Sequence, residues 1–425
     1  MPLEQTRYHQ RGFGLKKEIE GPLKLDYHSR VVEETRAAGN RFVRGGLTLR
    51  LAQEFGFCYG VDRAVEYAYE ARLKFPDRQL FLIGEIIHNP TVNGRLREMG
   101  ITILDPPRPQ PLLSIRADPA ARPDPPGIEA ARNGGEREPD PYARIGPRDV
   151  VIIPAFGVPV GDLARLRAME CVLVDTTCGS VLNVWKNVER YAREGFTSII
   201  HGKFWHEETQ ATASRALQHP GGHYLVLRDR QEAGEAAQVI QGAGIDGFRE
   251  RFRAAASPGF DPALHLERIG LANQTTMLSS ESVEIGEILR RAMVQRWGEQ
   301  ETLRRFRSFD TICSATQERQ DAVLKMLGEP LDLMLVVGGF NSSNTTHLAE
   351  LAAGRVPTFH IEDAAALLSA GEIRHMPVGG TAAIVSRGWL PDPPLTVGLT
   401  AGASTPNSKV GEVIERVAAC CGVFL

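Results

Sequence analysis

The feature that most constrains the fold is a pattern that recurs around three cysteines, Cys58, Cys178 and Cys313. Each cysteine ends a short apolar or β-prone run, and a helical pattern and a second apolar run follow it. The polar clusters HNPTVN, HEET and NSSN come next, at nearly constant offsets from the cysteines (88 − 58 = 30, 206 − 178 = 28 and 341 − 313 = 28). A triplicated spacing of this kind indicates an internal repeat.

A third polar element follows another apolar run in each unit: AFG before Val158, NQTT before Met277 and AGAS before Thr405. Strands that alternate with helices indicate parallel α/β units, whose loops at the strand C-termini collect ligands. We therefore predict an α/β fold of three similar α/β domains with small parallel sheets, arranged pseudo-threefold with the cysteines near the centre. A single doubly wound domain with insertions is the alternative. The segment LTLRLAQEF near the N-terminus could supply the strand that the third unit lacks.

The repeat also divides the chain into segments. Residues 105–148 are rich in Pro, Arg, Gly and Asp and hold few large apolar residues, so we predict a mobile insertion there. The predicted division is an N-terminal extension at 1–46, a first α/β domain at 47–177, a second at 178–312 with an irregular insertion at 242–267, and a third at 313–425.

Composition excludes several classes of function. Of the 425 residues, 42% are hydrophobic and 24% are charged, and the formal net charge of -3 gives no sign of a nucleic-acid surface. No stretch is long and apolar enough to span a bilayer, and the N-terminus resembles neither a secretory signal nor a transit peptide. We therefore expect a cytoplasmic protein without nucleic-acid or membrane partners, whose cysteines are thiols, metal ligands or catalytic groups.

The three repeat cysteines are candidate metal ligands. A single buried cysteine usually serves as a small hydrophobe, but three at equivalent positions before helices favour convergent ligands. Three thiolates could hold zinc in an open catalytic site or three irons of a 4Fe–4S cube, and the spacing does not choose between them. The cysteines outside the repeat are interpreted as structural; they are Cys171, Cys420 and Cys421.

The polar loops are a candidate anion site, because neutral or weakly cationic donors at helix starts suit phosphate groups. Individually such residues are common helix caps, and only their recurrence favours a site. Glu208 is the candidate proton relay, since an acid near a cluster and an anion can hold a proton near neutral pH; Glu207 competes on position. The candidate donors are His88, His206, Thr275, Ser342, Ser343, Asn344 and Ser404.

At these residues the chain resembles the 4-hydroxy-3-methylbut-2-enyl diphosphate reductase family, in its cyanobacterial and plant branch. The matching strings, between Phe57 and Pro406, are GFCYGVDRAV, EIIHNPTVN, DTTCGSV, HGKFWHEET, NQTT, TICSATQERQDAV, VVGGFNSSNT and TAGASTP. The resemblance implies one central 4Fe–4S cluster with three cysteine ligands, Cys58, Cys178 and Cys313, and one open iron. It implies reductive dehydroxylation of an allylic diphosphate to isopentenyl and dimethylallyl diphosphate, the last step of the non-mevalonate (MEP) pathway, with ferredoxin or flavodoxin as electron donor.

The resemblance also implies roles for the polar loops. Glu208 becomes the proton donor, with Thr275 beside it. The residues placed around the diphosphate are His88, His206, Ser342, Ser343, Asn344 and Ser404. The chain departs from many bacterial members at Phe156 in AFG, where those proteins carry a histidine. We interpret this phenylalanine as a feature of the branch.

Other functions compete with the reductase. A quinolinate-synthase-like cluster dehydratase also uses three cysteines in a three-domain ring, but the HNP, HEET and NSSN strings argue against it. A non-catalytic iron–sulfur redox sensor would need a partner-binding or DNA-binding module, and the sequence shows none. A zinc protein would lack the visible absorption of a cluster.

Overall fold

The computed structural model of the chain describes residues 7–105, 140–244, 246–309 and 311–423. Residues 106–139, most of the predicted Pro-rich insertion, lie outside the described residues. The described strands are β1 (Tyr8–His9), β2 (Arg41–Arg44), β3 (Leu47–Leu51), β4 (Leu80–Ile83), β5 (Ile101–Leu104), β6 (Val150–Ile153), β7 (Val172–Asp175), β8 (Thr197–His201), β9 (Tyr224–Leu227), β10 (Ile269–Asn273), β11 (Phe306–Ser308), β12 (Leu333–Val337), β13 (Thr358–Ile361), β14 (Glu372–His375), β15 (Ile384–Arg387) and β16 (Leu395–Ala401).

Helices alternate with most of these strands. The described α-helices are α1 (Lys16–Tyr27), α2 (Arg30–Ala37), α3 (Tyr59–Lys74), α4 (Pro90–Glu98), α5 (Val160–Ala168), α6 (Gly179–Arg193), α7 (Glu207–Ala216), α8 (Arg230–Ile240), α9 (Phe248–Arg251), α10 (Pro262–His265), α11 (Ser279–Arg305), α12 (Ser314–Met326), α13 (Ser343–Ala353) and α14 (Asn407–Cys420). Short 3-10 helices cover Pro141–Arg144 and Ala364–Ala366. Within the described ranges, no helix has the length and apolar character needed to cross a membrane.

Three sheets share one arrangement of strands. Their repeated orders are β7-β6-β4-β5, β11-β10-β8-β9 and β3-β16-β12-β13, and all neighbours within these sets are parallel. β1 adds in parallel to the edge of the first sheet, and β2 adds antiparallel to the edge of the third. β14 and β15 form a separate antiparallel pair. The fold is therefore α/β with three similar units, as the sequence predicted.

β3 completes the third unit from the beginning of the chain. It pairs in parallel with β16, with Leu47 opposite Leu395 and Leu51 opposite Leu399. The sequence analysis predicted this strand for the third unit, although its domain division grouped residues 47–177 together. By strand pairing, β3 lies in the third sheet; the other domain boundaries stay predictions.

The central strands are apolar along their whole length, because helices cover both faces of each parallel sheet. Strands β4 (LFLI), β6 (VVII) and β12 (LMLVV) are buried at every residue. Since all strands of a repeated set run the same way, the loops that follow them lie at one edge of the sheet. In every unit this edge carries the cysteine, the polar cluster (HNPTVN, HEET or NSSN) and the third polar element (AFG, NQTT or AGAS).

The N-terminal extension is part of the packed fold. The Tyr8 hydroxyl donates a hydrogen bond to the Asp175 carboxylate beside the β1–β7 pair. The buried Glu70 carboxylate on α3 accepts hydrogen bonds from the backbone N–H groups of Phe13 and Leu15. Helices α1 and α2 both pack against α14. The extension therefore links the first unit to the third.

Parts of both predicted insertions also contribute to the cores. Tyr142, near the end of the first insertion, is fully buried against the first sheet. In the second insertion, Phe248 and Phe252 are buried against the second sheet, and the Val226 N–H donates to the Ala255 carbonyl. These described residues belong to the packed fold.

We expect that Leu49→Ala lowers the free energy of unfolding by about 3 kcal/mol, because Leu49 is fully buried at the middle of β3 and its truncation leaves a cavity. Urea denaturation followed by circular dichroism measures this change. The control is Thr48→Ala on the same strand, where the side chain is only partly buried and we expect a loss below about 1 kcal/mol. Equal stability of Leu49→Ala and wild type would contradict the assignment of β3 to the third core.

Candidate active site

All three repeat cysteines occupy the N-cap position of a helix: Cys58 precedes α3, Cys178 precedes α6 and Cys313 precedes α12. Their backbone N–H groups make the same hydrogen bond three times, each to a carbonyl of the loop that follows the neighbouring strand. The acceptors, in the same order, are the carbonyls of Ala403 (3.2 Å), Ala155 (2.9 Å) and Thr275 (3.3 Å). These carbonyls belong to the AGAS, AFG and NQTT elements, so one backbone bond joins two polar loops in every unit.

The structure brings the three thiols into one region. A Cβ atom on Gly60 would stand 2.5 Å from Cys178 Sγ and 3.9 Å from Cys58 Sγ, so the first turn of α3 needs a glycine at this close approach. The Cys58 thiol interacts electrostatically with both the Cys178 and Cys313 thiols. Sulfur atoms from three distant parts of the chain therefore face one another.

Two of the thiols, Cys58 and Cys313, are buried enough to resist ionisation on their own. Burial raises the pKa of the Cys313 thiol to about 11, and burial also raises the pKa of Cys58. Thr316 opposes this shift at Cys313, since its Oγ1 and N–H lie 3.0 and 3.3 Å from the sulfur. A helix N-terminus stabilises a thiolate, but desolvation outweighs that effect at Cys58 and Cys313. Thiols in such a site ionise when a bound metal neutralises them.

The polar loops of the three units contact one another in pairs. His88 Nε2 lies 3.1 Å from His206 Nε2, which joins the first unit to the second. Gln274 Nε2 donates to Ser343 Oγ at 3.2 Å, which joins the second unit to the third. Ser404 Oγ donates to the His88 carbonyl at 3.1 Å, which joins the third unit to the first. The predicted site residues therefore surround one point where the units meet.

Glu208, in the first turn of α7, is 1% exposed. The Thr275 N–H donates to its Oε1 at 2.6 Å, and the Thr275 hydroxyl donates to its Oε2 at 3.0 Å. Burial raises the pKa of Glu208 to about 7, although both bonds from Thr275, and His88 whenever its ring is protonated, act to lower it. The carboxyl group is therefore protonated below about pH 7. The competing acid Glu207 has a side chain that is 41% exposed.

Hydrogen bonds assign the protons of the two histidines. The Glu208 N–H donates to His206 Nδ1 at 3.2 Å, and burial holds the pKa of His206 well below its usual range, so the neutral ring carries its proton on Nε2. That proton faces His88 Nε2, which accepts it. His88 therefore carries its own proton on Nδ1 and donates it to Glu85 Oε2 at 2.8 Å, which also accepts from Asn341 Nδ2 at 2.9 Å.

Glu207 forms a compact group with these two rings, with one polar atom from each within 4.8 Å of the others. A group of this composition could hold a cation in principle. In the assigned tautomer, however, His206 has no lone pair free to bind one, because Nδ1 accepts a backbone N–H and Nε2 carries a proton. The arrangement suits hydrogen-bond donation to an anion better.

Phe156 packs directly against the histidine pair. Its ring stacks on His88 with centroids 4.4 Å apart and meets His206 edge-on at 5.4 Å. The phenylalanine therefore fixes the orientation of both rings by packing, where a histidine would add a nitrogen donor.

The third unit contributes a donor that no described residue satisfies. Asn344 Oδ1 accepts the Ala403 N–H at 2.8 Å, which fixes the amide orientation and leaves Nδ2 buried without a hydrogen-bond partner in the described ranges. An orphaned buried amide group indicates a missing polar or anionic ligand. The neighbouring Ser342 hydroxyl accepts the Thr345 N–H at 3.4 Å and caps α13.

Comparison with known proteins identifies the family. Residues 49–418 match the model of the family described as LytB protein. The chain belongs to the LytB family. It is similar to a 4-hydroxy-3-methylbut-2-enyl diphosphate reductase of Gloeobacter violaceus, with 45% identity over 99% of this chain and 94% of the relative. The reductase of the same name from Thermosynechococcus vestitus is 42% identical over 96% of this chain and 94% of the relative.

Solved structures share the LytB fold. The structure described as (E)-4-hydroxy-3-methyl-but-2-enyl diphosphate reductase, the terminal enzyme of the non-mevalonate pathway, aligns with a TM-score of 0.50 at 24% identity, over 87% of this chain and 99% of that one. A Plasmodium falciparum E-1-hydroxy-2-methyl-but-2-enyl-4-diphosphate reductase aligns with a TM-score of 0.58 at 18% identity, over 89% and 90%. At these identities the likeness establishes the fold.

In this LytB chain the sequence analysis missed three polar residues of the site: Glu85, Gln274 and Asn341. Glu85 stands three residues before His88 in the same loop, and that spacing was a usable signal. Gln274 and Asn341 lie inside the NQTT and NSSN strings, but their contacts cross from one unit to another. Spacing along the chain does not show such contacts.

We expect infrared difference spectra to show a carboxylic acid C=O band of Glu208 that disappears as the pH rises through about 7, because burial raises its pKa. Glu208→Gln serves as the reference that lacks the band. In Thr275→Val the band should persist to higher pH, because the lost hydroxyl bond acts to lower the pKa. A Glu208 that stays ionised down to pH 5 would contradict the assignment.

Proposed function

We propose that this chain reduces (E)-4-hydroxy-3-methylbut-2-enyl diphosphate to isopentenyl and dimethylallyl diphosphate, the last step of the non-mevalonate isoprenoid pathway. The observation that carries the proposal is the meeting of three N-cap thiols, a protonated buried carboxyl group and a ring of polar donors at one point. The chain's place in the LytB family, with relatives that bear the name of this reductase, supports the same reaction.

The thiols fit a 4Fe–4S cluster held by Cys58, Cys178 and Cys313, with one iron left without a cysteine ligand. Three thiolates on a single tetrahedral zinc would lie about 3.8 Å from one another, given Zn–S bonds of about 2.3 Å. In the described part of the chain, the three sulfur atoms do not form a group within 4.8 Å. The match to the LytB family supports a cluster over one zinc ion.

The protein's own residues supply protons and position the substrate. When bound, a cluster of this type supplies electrons and an iron that the substrate hydroxyl can approach. Replacing the C–OH bond by C–H takes up two electrons and two protons and releases water. Glu208 donates a proton to the departing oxygen, because it is protonated near neutral pH, and Thr275 holds its carboxyl group in place.

The polar loops bind the diphosphate and hold the reacting carbon near the thiols. The N-termini of α7 and α13 point at this region, and helix N-termini favour anions. Asn344 offers the clearest donor, since its Nδ2 is otherwise unsatisfied. The proposed diphosphate ligands are His88, His206, Ser342, Ser343, Asn344 and Ser404.

For the electrons we propose ferredoxin or flavodoxin as donor, and we propose the cytoplasm as the location. The LytB family match supports the reductase over a quinolinate-synthase-like dehydratase or a redox sensor. Turnover of the allylic diphosphate by anaerobically reconstituted protein with a low-potential reductant tests the proposal. Absence of turnover in protein that carries a full complement of iron and sulfide would refute it.

We expect Cys58→Ser, Cys178→Ser and Cys313→Ser each to lose most bound iron, sulfide and visible absorption. A hydroxyl group is a poor ligand for iron–sulfur clusters, and each change removes one of three ligands. Cys171→Ser is the matched control, because Cys171 lies in a core where its sulfur contacts the Leu166 carbonyl. Iron and sulfide analysis of anaerobically purified proteins measures the outcome; full iron content in all three variants would contradict the ligand set.

Glu208→Gln should keep the cluster and lose at least about 100-fold in turnover, because an amide cannot donate the acid proton. Electron paramagnetic resonance of the reduced protein measures cluster content, and product formation measures turnover. Glu207→Gln, one residue away and more exposed, should affect turnover less. Unchanged turnover in Glu208→Gln would remove the proton-donor role.

Asn344→Asp should raise the KM at least about tenfold with the cluster retained, because it replaces a buried donor by an anion next to the diphosphate. The control is Asn187→Asp, a half-buried residue of α6 that accepts a hydrogen bond from Arg190, where we expect no change in KM. Initial rates at varied substrate concentration measure both effects. An unchanged KM in Asn344→Asp would place the anion elsewhere.

A further inference from the structure

In the structure, the two histidines are each other's hydrogen-bond partners. His206 donates its single proton to His88 Nε2, and His88 donates its single proton to Glu85. His88 Nε2 therefore carries no proton on the side that faces the predicted diphosphate. A fully ionised diphosphate has only acceptor oxygens and cannot donate a hydrogen bond to a bare ring nitrogen. For His88 to donate to such an anion and keep its bond to Glu85, it must gain a proton when the anion binds.

We propose that His88 takes up one proton from solvent when diphosphate binds, and that Glu85 is the positioning residue which holds the resulting imidazolium in place. This inference rests on the proposed diphosphate site. The Nε2–H of His206 then donates to the anion instead of to His88, and the new Nε2–H of His88 donates to the same anion. No covalent bond other than N–H forms, and the proton comes from the buffer.

The surroundings of His88 support an imidazolium. Glu85 Oε2 lies 2.8 Å from Nδ1, and Asn341 from the third unit donates to the same oxygen at 2.9 Å, which fixes the carboxylate against the ring. Burial acts to raise the pKa of Glu85, but the bonds from His88 and Asn341 lower it, so the carboxylate stays charged. An aligned carboxylate stabilises a histidine cation, as aspartate does in serine proteases.

Other groups face His88 as well. Glu207 Oε2 from α7 lies 3.6 Å from Nε2, on the side where the anion would approach. The buried Glu208 and the neutral His206 come from the same helix, and the uncharged Phe156 covers one ring face. Only Glu85, among the described carboxylates near the ring, bonds to Nδ1. Glu207→Gln therefore removes a carboxylate charge close to the His88 ring but leaves the bond between Glu85 and His88 Nδ1 in place.

Isothermal titration of holoenzyme with inorganic diphosphate at pH 6, 7 and 8 tests the proposal, with wild type, Glu85→Gln and Glu207→Gln compared. The ratio of Kd between variant and wild type cancels the titration of the ligand. For Glu85→Gln we expect a ratio of about 3 at pH 6, rising to about 10 or more at pH 8, because proton uptake costs more free energy as the pH rises. For Glu207→Gln the ratio should not rise with pH.

A Glu85→Gln ratio that is the same at all three pH values would overturn the proposal, because a merely structural role weakens binding equally throughout. A rise with pH that is equal in both variants would also overturn it, since general electrostatics would then explain the effect. No detectable diphosphate binding by wild type at millimolar concentration would refute it as well. The reductase proposal is judged separately by turnover of the allylic diphosphate, which this binding experiment does not use.

Discussion

The site depends on one backbone hydrogen bond that the chain makes three times. In each unit the N–H of an N-cap cysteine donates to a carbonyl of the loop after the adjacent strand. The bond fixes the start of a helix against the carboxyl edge of its sheet, and it requires the two strands to be parallel neighbours. Because the same bond recurs in three sheets, three helices begin at one point, and every candidate residue is positioned relative to it.

Burial at this point acts on each titratable group in a different direction. It raises the pKa of Glu208 and of the Cys313 thiol, and it lowers the pKa of His206. Since desolvation disfavours whichever form is charged, the site contains an acid that keeps its proton below about pH 7, two thiols (Cys58 and Cys313) that resist ionisation, and a neutral imidazole. A reaction that consumes protons and binds an anion needs such groups. In the proposed reaction, the charged groups that enter the site are the bound metal centre and the anion.

The sequence predicted the repeat and the α/β units, because spacing and apolar runs determine those features. It offered β3 as a possible strand of the third sheet, but its domain division kept residues 47–177 in the first unit. It also predicted that residues such as Glu208 and Thr275 lie beside one another, through the family resemblance. It did not predict Glu85 and Asn341 at the histidines, the proton positions on His88 and His206, or the burial of Tyr142. His206 and Asn341 contact His88 from other units, and periodicity within one unit does not show such contacts; Tyr142 lies in a Pro-rich segment whose composition indicated no packing.

The pairing of β3 with β16 has a consequence for biosynthesis. The two strands are separated by 395 − 51 = 344 residues along the chain, so a nascent polypeptide exposes β3 long before its partner emerges from the ribosome. Cys58 follows that strand directly and reaches its final position only when the third sheet is complete. The three-cysteine site is therefore complete only after the C-terminal unit has been translated.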